Sequence, residues 1–215
     1  MAEATLYSET TDGYVSSTGA TWSVTMAGTG TLGGATDSQK ATWGTRWPPG
    51  CFMHFHEFDL SGIPSGSTVT AATFSLYAGD NNMNTRHVVA EVYEYEFGTL
   101  TTADWRTGGD GGDLDTMHDA GGLLASTGGD GKSSNSYWVF TSQAAFLSAV
   151  EDHLGGTLQV VVAPDYLRIG TEPSDEWYWT EFNFADSASN RPRLVVEYTE
   201  PVGFVGLTVT RVLNG

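Results

Sequence analysis

Apolar and polar residues alternate one by one along most of this chain, in short runs separated by clusters of Gly, Pro, Asn, Asp and Ser. A period of two marks half-buried strands, because successive side chains point to opposite faces. "CFMHFHEFDL" (51–60) puts Phe52, His54, His56, Phe58 and Leu60 on one face. "TVTAATFSLYA" (68–78), "RHVVAEVYEYEF" (86–97), "TLQVVVAP" (157–164), "EWYWTEFNF" (176–184) and "RPRLVVEYT" (191–199) also read as strands. Upstream, "ATLYS", "GYVSS" and "TWSVTMA" read as shorter strands, and "GTGTLGGATDSQK" as a loop. Pro48-Pro49 forbids helix and stops the pattern.

Only "SQAAFLSAVEDHLGG" (142–156) has a helical period. Leu147, Val150 and Leu154 form a stripe, Thr141 or Ser142 can cap the start, and Gly155-Gly156 can end it. Residues 98–136 form a long Gly/Asp/Ser-rich excursion, and loops of that length are usually functional or partly disordered. Many short strands, Gly/Pro turns and a single helix predict an all-β fold. It is a two-sheet antiparallel β-sandwich of jelly-roll type with one short crossover helix. One domain is expected over 1–199. Residues 200–215 follow as an apolar, β-prone tail, with Val205, Leu207, Val209, Val212 and Leu213 expected to dock on a neighbour or build a homo-oligomer.

The segment "FDLSGIPSGSTVTAATFSLY" (58–77) resembles the hairpin of DNRLRE-type domains, β-sandwich modules grouped with carbohydrate-binding modules. Phe58, Asp59, Leu60, Ser61, Ile63, Pro64, Gly66, Ala72 and Tyr77 match its strand end, its Ile-Pro-x-Gly turn and its second strand. "LTTADW" (100–105) is similar to the segment after the central strands, and "NRPRLVVEYT" (190–199) to the closing strand. The resemblance implies a sandwich that binds rather than catalyses. It carries over no ligand residue.

Charge narrows the partners. The net charge is −17, with Lys40 and Lys132 as the only lysines. Such a field repels phosphate backbones and anionic bilayers, so neither nucleic acid nor membrane is an expected partner. No apolar run approaches the ~20 residues of a membrane span. Cys51 is the single cysteine, which excludes an intrachain disulfide and a thiolate cluster, and its neighbours Phe52 and Met53 make it a small buried hydrophobe. "MAEATLYSETTDGY" lacks the basic region and apolar core of a signal peptide.

Three groups of residues carry candidate chemistry. His54 and His56, two apart on one strand, put both imidazoles on one face and could hold a transition metal with His87, His118 or His153. Histidines hydrogen-bonded inside the fold are the plainer reading. The Gly/Asp loops offer Asp110, Asp113, Asp115 and Asp119, and Asp80, Asn81 and Asn82, as oxygen ligands for a structural calcium ion; ordinary solvated turns look the same. Trp177 and Trp179 share one strand face, opposite Tyr178 and Phe182, and could stack on sugar rings unless a loop covers them.

Catalysis has the least support. Glu57, Asp59, Glu91, Glu94, Glu96 and Glu181 are carboxylates without a readable acid/base arrangement, and no nucleophile or phosphate-loop motif occurs. The expectation is a non-catalytic virion surface protein (decoration, fibre or tail-associated) on a capsid or tail. The alternative is a carbohydrate-binding module of a secreted polysaccharide-degrading enzyme or cell-surface protein. Either is expected at a virion or extracellular surface, with a glycan or a larger assembly as partner.

Overall fold

The structure, a computed structural model, describes residues 1–34, 40–46, 50–81, 89–128, 132–171, 177–185, 187 and 189–202; residues 34, 40–46, 80–81 and 177–179 are described by backbone alone. The first half of the chain forms β1 (Ala2–Tyr7), β2 (Gly13–Thr18), α1 (Trp22–Met26), β3 (Thr31–Gly34), β4 (Lys40–Arg46), β5 (Gly50–Asp59), β6 (Thr68–Asn81) and β7 (Val89–Glu94). The second forms α2 (Asp113–Asp119), β8 (Leu123–Gly128), β9 (Ser136–Val139), β10 (Thr141–Ser142), α3 (Ala144–Asp152), β11 (Thr157–Pro164), α4 (Asp165–Ile169), β12 (Trp177–Asn183) and β13 (Arg193–Thr199).

These strands pair antiparallel and fold into two layers. The first holds β1, β13, β6, β9, β12 and β4; the second holds β3, β2, β5, β11, β7, β8 and β10. They join at one corner, where Gly44, Thr45 and Arg46 pair with Phe52, Cys51 and Gly50. This is the antiparallel sandwich that the alternation predicts.

Its first core lies between the layers, where Phe58, Phe74, Leu76, Trp138, Phe146, Val160, Val162 and Leu194 are buried. The second layer buries its other face too. Met53, Phe55, Tyr93 and Val161 pack there under Trp22 of α1, Trp105, Leu114 of α2 and Leu167 of α4. Strands β5, β7 and β11 are therefore covered on both sides, which is why β11 reads as a continuous apolar run. Cys51 belongs to this second core, and burial pushes its thiol far up, so it is inert.

The structure corrects several sequence expectations. "TWSVTMA" holds helix α1 rather than a strand: Thr21 caps it by accepting the Val24 N–H at 3.4 Å, and the buried residues, Trp22 and Thr25, lie three apart. Four short helices occur among the described residues, not one. In α3 the cap position is Gln143, while the Ser142 hydroxyl instead bonds the Ala72 carbonyl; Phe146, Ala149 and Val150 are the buried residues, with Leu147 and Leu154 at their margin.

The 58–77 stretch is not a hairpin. Strands β5 and β6 lie in different layers, and the turn between them carries the chain across. Asp59 Oδ1 accepts the Ser61 N–H at 2.8 Å, Pro64 O accepts the Ser67 N–H at 3.1 Å, and Gly66 takes a φ of 83°. Leu60 and Ile63 plug the end of the first core. The matched residues are corner chemistry.

Candidate functional site

The long excursion after β7 is folded, and it builds a groove over the second layer. Beyond β7 the chain stays extended because the Tyr95 N–H bonds Gln159 O at 3.1 Å, and Gln159 Oε1 accepts the N–H groups of Phe97 and Gly98 at 2.8 and 2.9 Å. The loop then closes on itself. Asp104 Oδ2 accepts the Thr101 N–H at 2.7 Å, and its Oδ1 accepts the Tyr95 hydroxyl at 2.8 Å. Burial and that bond push the Tyr95 hydroxyl up to about 12, so it remains a donor.

Arg106 is the most constrained charge here. Its Nη2 donates to Ala103 O at 2.7 Å, its Nε to Asp104 O at 3.2 Å, and its guanidinium lies 4.5 Å from the centre of the Tyr95 ring. Asp113 Oδ2 accepts both the N–H and the hydroxyl of Thr107 at 2.8 Å. Burial opposes its charge, but these bonds and the Arg106 charge outweigh burial and hold the carboxyl below the usual aspartate range. Gly108 lets the loop lie against α4, since a Cβ there would stand 2.1 Å from Leu167 O.

The resulting groove measures about 620 Å³ and is walled by Glu94, Tyr95, Glu96, Arg106, Thr116 and Met117. A second recess of about 520 Å³, lined by Glu57, Phe97 and Gln159, shares Glu96 as its wall. His153 stands beside both glutamates. Its Nδ1 donates to Ala149 O at 2.8 Å, which turns Nε2 towards Glu94 Oε1 at 3.5 Å and Glu96 Oε1 at 3.8 Å. The first groove therefore presents fixed guanidinium donors, carboxylate acceptors, a hydroxyl and an apolar thioether.

The sequence-derived candidates fall elsewhere. Trp177, Tyr178 and Trp179 lie on β12, whose backbone pairs them with Arg46, Thr45 and Gly44; their side chains are outside the described set. The tail residues Val205, Leu207, Val209, Val212 and Leu213 lie outside the described residues, as do His87 and Asn82. Among the loop carboxylates, Asp113 and Asp115 accept bonds from Thr107 and the Gly111 N–H, so both cap their own backbone.

His54 and His56 share the inter-layer face, as the alternation predicts, and both are fully buried. Their rings pack 6.1 Å apart against Phe184, at 4.7 and 5.8 Å. The acidic neighbour of His56 is Asp12, with Nδ1 and Oδ2 3.5 Å apart. His118 pairs with Asp119 instead, and His153 with Glu94 and Glu96. Among the described residues, no group of three His, Cys, Asp or Glu is placed to hold a metal.

Of the six carboxylates weighed for catalysis, Glu91 is the most buried, and Arg168 Nε and Nη2 grip it at 2.8 and 2.9 Å. Asp165 lies in the same neighbourhood and accepts the N–H groups of Val89 and Tyr166 at 3.0 and 2.9 Å. Burial, reinforced by the Glu91 charge, raises its carboxyl to about 6. The folded protein then holds a proton that the unfolded chain releases near pH 4, so this contribution is full below pH ~4 and lost as pH rises through ~6. Asp165→Asn keeps the acceptor and removes the charge. Urea titrations should show it stabilised most above pH ~7, by no more than about 3 kcal/mol, with the gap closing towards pH ~4. A gap that widens on acidification would contradict this.

No family model matches the chain, and no curated protein matches it.

Proposed function

We propose that this chain is a non-catalytic binding module whose ligand is a neutral glycan seated in the groove of Glu94, Tyr95, Glu96, Arg106, Thr116 and Met117. The observation that carries this reading is that the fixed Arg106 guanidinium and the Glu94 and Glu96 carboxylates line one open recess of about 620 Å³. A sugar hydroxyl both donates and accepts, so neighbouring hydroxyls satisfy a guanidinium and a carboxylate together. A ligand carrying one kind of charge satisfies only half the wall. The volume falls within the ~300–1,000 Å³ of small-ligand sites.

The arrangement favours binding over hydrolysis. Glu94 and Glu96 sit two residues apart and both turn towards His153. The third carboxylate of the recess, Asp113, is tied to Thr107 and held below the usual aspartate range, so it is no proton donor. Glycoside hydrolysis needs two carboxyls flanking the bond. A virion surface protein and a carbohydrate-binding module would each use such a groove.

The test is an array of neutral oligosaccharides, followed by titration of whichever ones bind. Arg106→Ala should weaken binding at least about tenfold, the loss of one charged hydrogen-bond donor, with its melting temperature measured alongside. The Trp177→Ala, Trp179→Ala double variant should bind as the parent does. Binding lost in the tryptophan variant and kept in Arg106→Ala would move the site to β12, and no binding to any saccharide would end the reading.

A further inference from the structure

The first layer has a second surface of a different kind. Tyr7 pairs across strands with Arg193, Arg193 with Ser75, and Ser75 with Val139, so these four stand abreast on one face; Tyr77 and Tyr137 pair two positions further along it. This face looks outward at its edges, with Ser75 covered between them. Tyr7 and Val139 are 46% and 47% exposed. The Arg193 guanidinium lies 4.0 Å from the centre of the Tyr137 ring, Arg191 lies 5.4 Å from that of Tyr7, and Tyr77 meets Tyr137 edge to face at 5.3 Å.

Among the described residues these arginines meet nothing acidic. In a chain of net charge −17, neither forms an ion pair with a described carboxylate. Arg191 Nη2 donates to Ser8 O at 2.6 Å, whereas Arg193 makes no hydrogen bond to a described residue. Carboxylates more than a Debye length away, about 8 Å at physiological salt, are largely screened, and the charge that acts on the Tyr137 hydroxyl here is that of Arg193.

We infer that this face is a docking surface for an extended acidic segment of a partner protein, with Arg191 and Arg193 as its carboxylate receptors. A guanidinium resting on an aromatic ring is held in place; the Nε of Arg193 is buried, which leaves its Nη1–Nη2 edge to grip a carboxylate through two bonds, while Arg191, with Nε buried and Nη2 on Ser8 O, adds a single donor. Arg193 covers a face of the Tyr137 ring, which argues against sugar stacking there. Arginines two positions apart match carboxylates two positions apart on an extended segment, where alternate side chains point the same way. Tyrosine and arginine are also the residues enriched at interface hot spots. The surface is separate from the glycan groove, and its test does not depend on that reading.

The experiment titrates the full chain into a labelled peptide that alternates glutamate with valine, followed by fluorescence anisotropy at physiological salt, where the distant carboxylates are screened. The glutamate peptide should bind and its glutamine counterpart should not. Arg193→Gln, which removes no hydrogen bond to a described residue, should weaken binding at least about tenfold, and Arg193→Lys should not restore it, because an ammonium lacks the planar fork. Unchanged melting temperatures would show that the variants are folded. The inference is overturned if the glutamate peptide does not bind, or if it binds Arg193→Gln as well as the parent. It is also overturned if dextran sulfate binds this face and the peptide does not, or if sedimentation shows that the face is occupied by a second copy of the chain.

Discussion

Asp12→Ala is expected to cost about 3 kcal/mol or more, a large share of the ~5–15 kcal/mol that holds a domain together. Asp12 sits between β1 and β2, yet it is buried, and its side chain ties three distant segments together. Oδ2 accepts the Ser8 hydroxyl at 2.9 Å and the Ala185 N–H at 2.9 Å, and His56 Nδ1 lies 3.5 Å away. Truncation leaves that N–H and that hydroxyl without an acceptor in a place water does not reach, and each such orphan costs about 1–3 kcal/mol. The cavity left beside His56 adds to the loss.

Asp12→Asn retains one oxygen and should cost less than alanine. Urea unfolding should show the midpoint shifted with the slope unchanged. An alanine variant within about 0.5 kcal/mol of the parent would mean that the cluster does not hold the segments together.

The sequence made the architecture legible because the sandwich depends on alternation, and alternation is local. His54, His56 and Phe58 fall on the inter-layer face as the period of two requires. The second core was hidden because its cover comes from short pieces without periodicity. α1 and α4 are five residues each, too short for a helical stripe to register. The matched 58–77 residues suited a corner as well as a hairpin, since Pro64 and Gly66 specify a turn and not the destination of the strand after it.

The site was harder to read for the same reason. Arg106 and Asp113 look like loop composition in "DWRTGGDGGD" until Asp104 and Thr107 fold the loop back on Tyr95. The Tyr7, Arg193, Ser75 and Val139 row is assembled from four strands, and no window of sequence contains it. Asp12 could have been suspected only as a turn residue. Its partner at Ala185 lies 173 positions away.

Glu91→Ala should be the other large loss, about 3–5 kcal/mol, the range for removing one member of a buried ion pair. Glu91 is 5% exposed, Arg168 grips both of its oxygens, and the Tyr93 hydroxyl donates to Oε2 at 2.7 Å. Removing the carboxylate leaves a largely buried guanidinium and a fully buried hydroxyl unpaired. Replacing both charges by Met (Glu91→Met with Arg168→Met) should cost less than Glu91→Ala alone, because the penalty lies in the stranded charge and not in the lost attraction. A double variant as damaged as the single one would place the cost in packing. The effect should also reach the groove: Arg168 belongs to α4, and the Gly109 N–H bonds the carbonyls of Leu167 and Arg168 at 3.0 and 3.1 Å, so this pair anchors the loop that carries Arg106. Glu91→Ala, studied at a temperature where it is still folded, should then weaken glycan binding in the groove while acidic-peptide binding at Arg193 stays unchanged. Equal losses at both surfaces would point to general unfolding, and no loss at either would show that α4 does not support the loop.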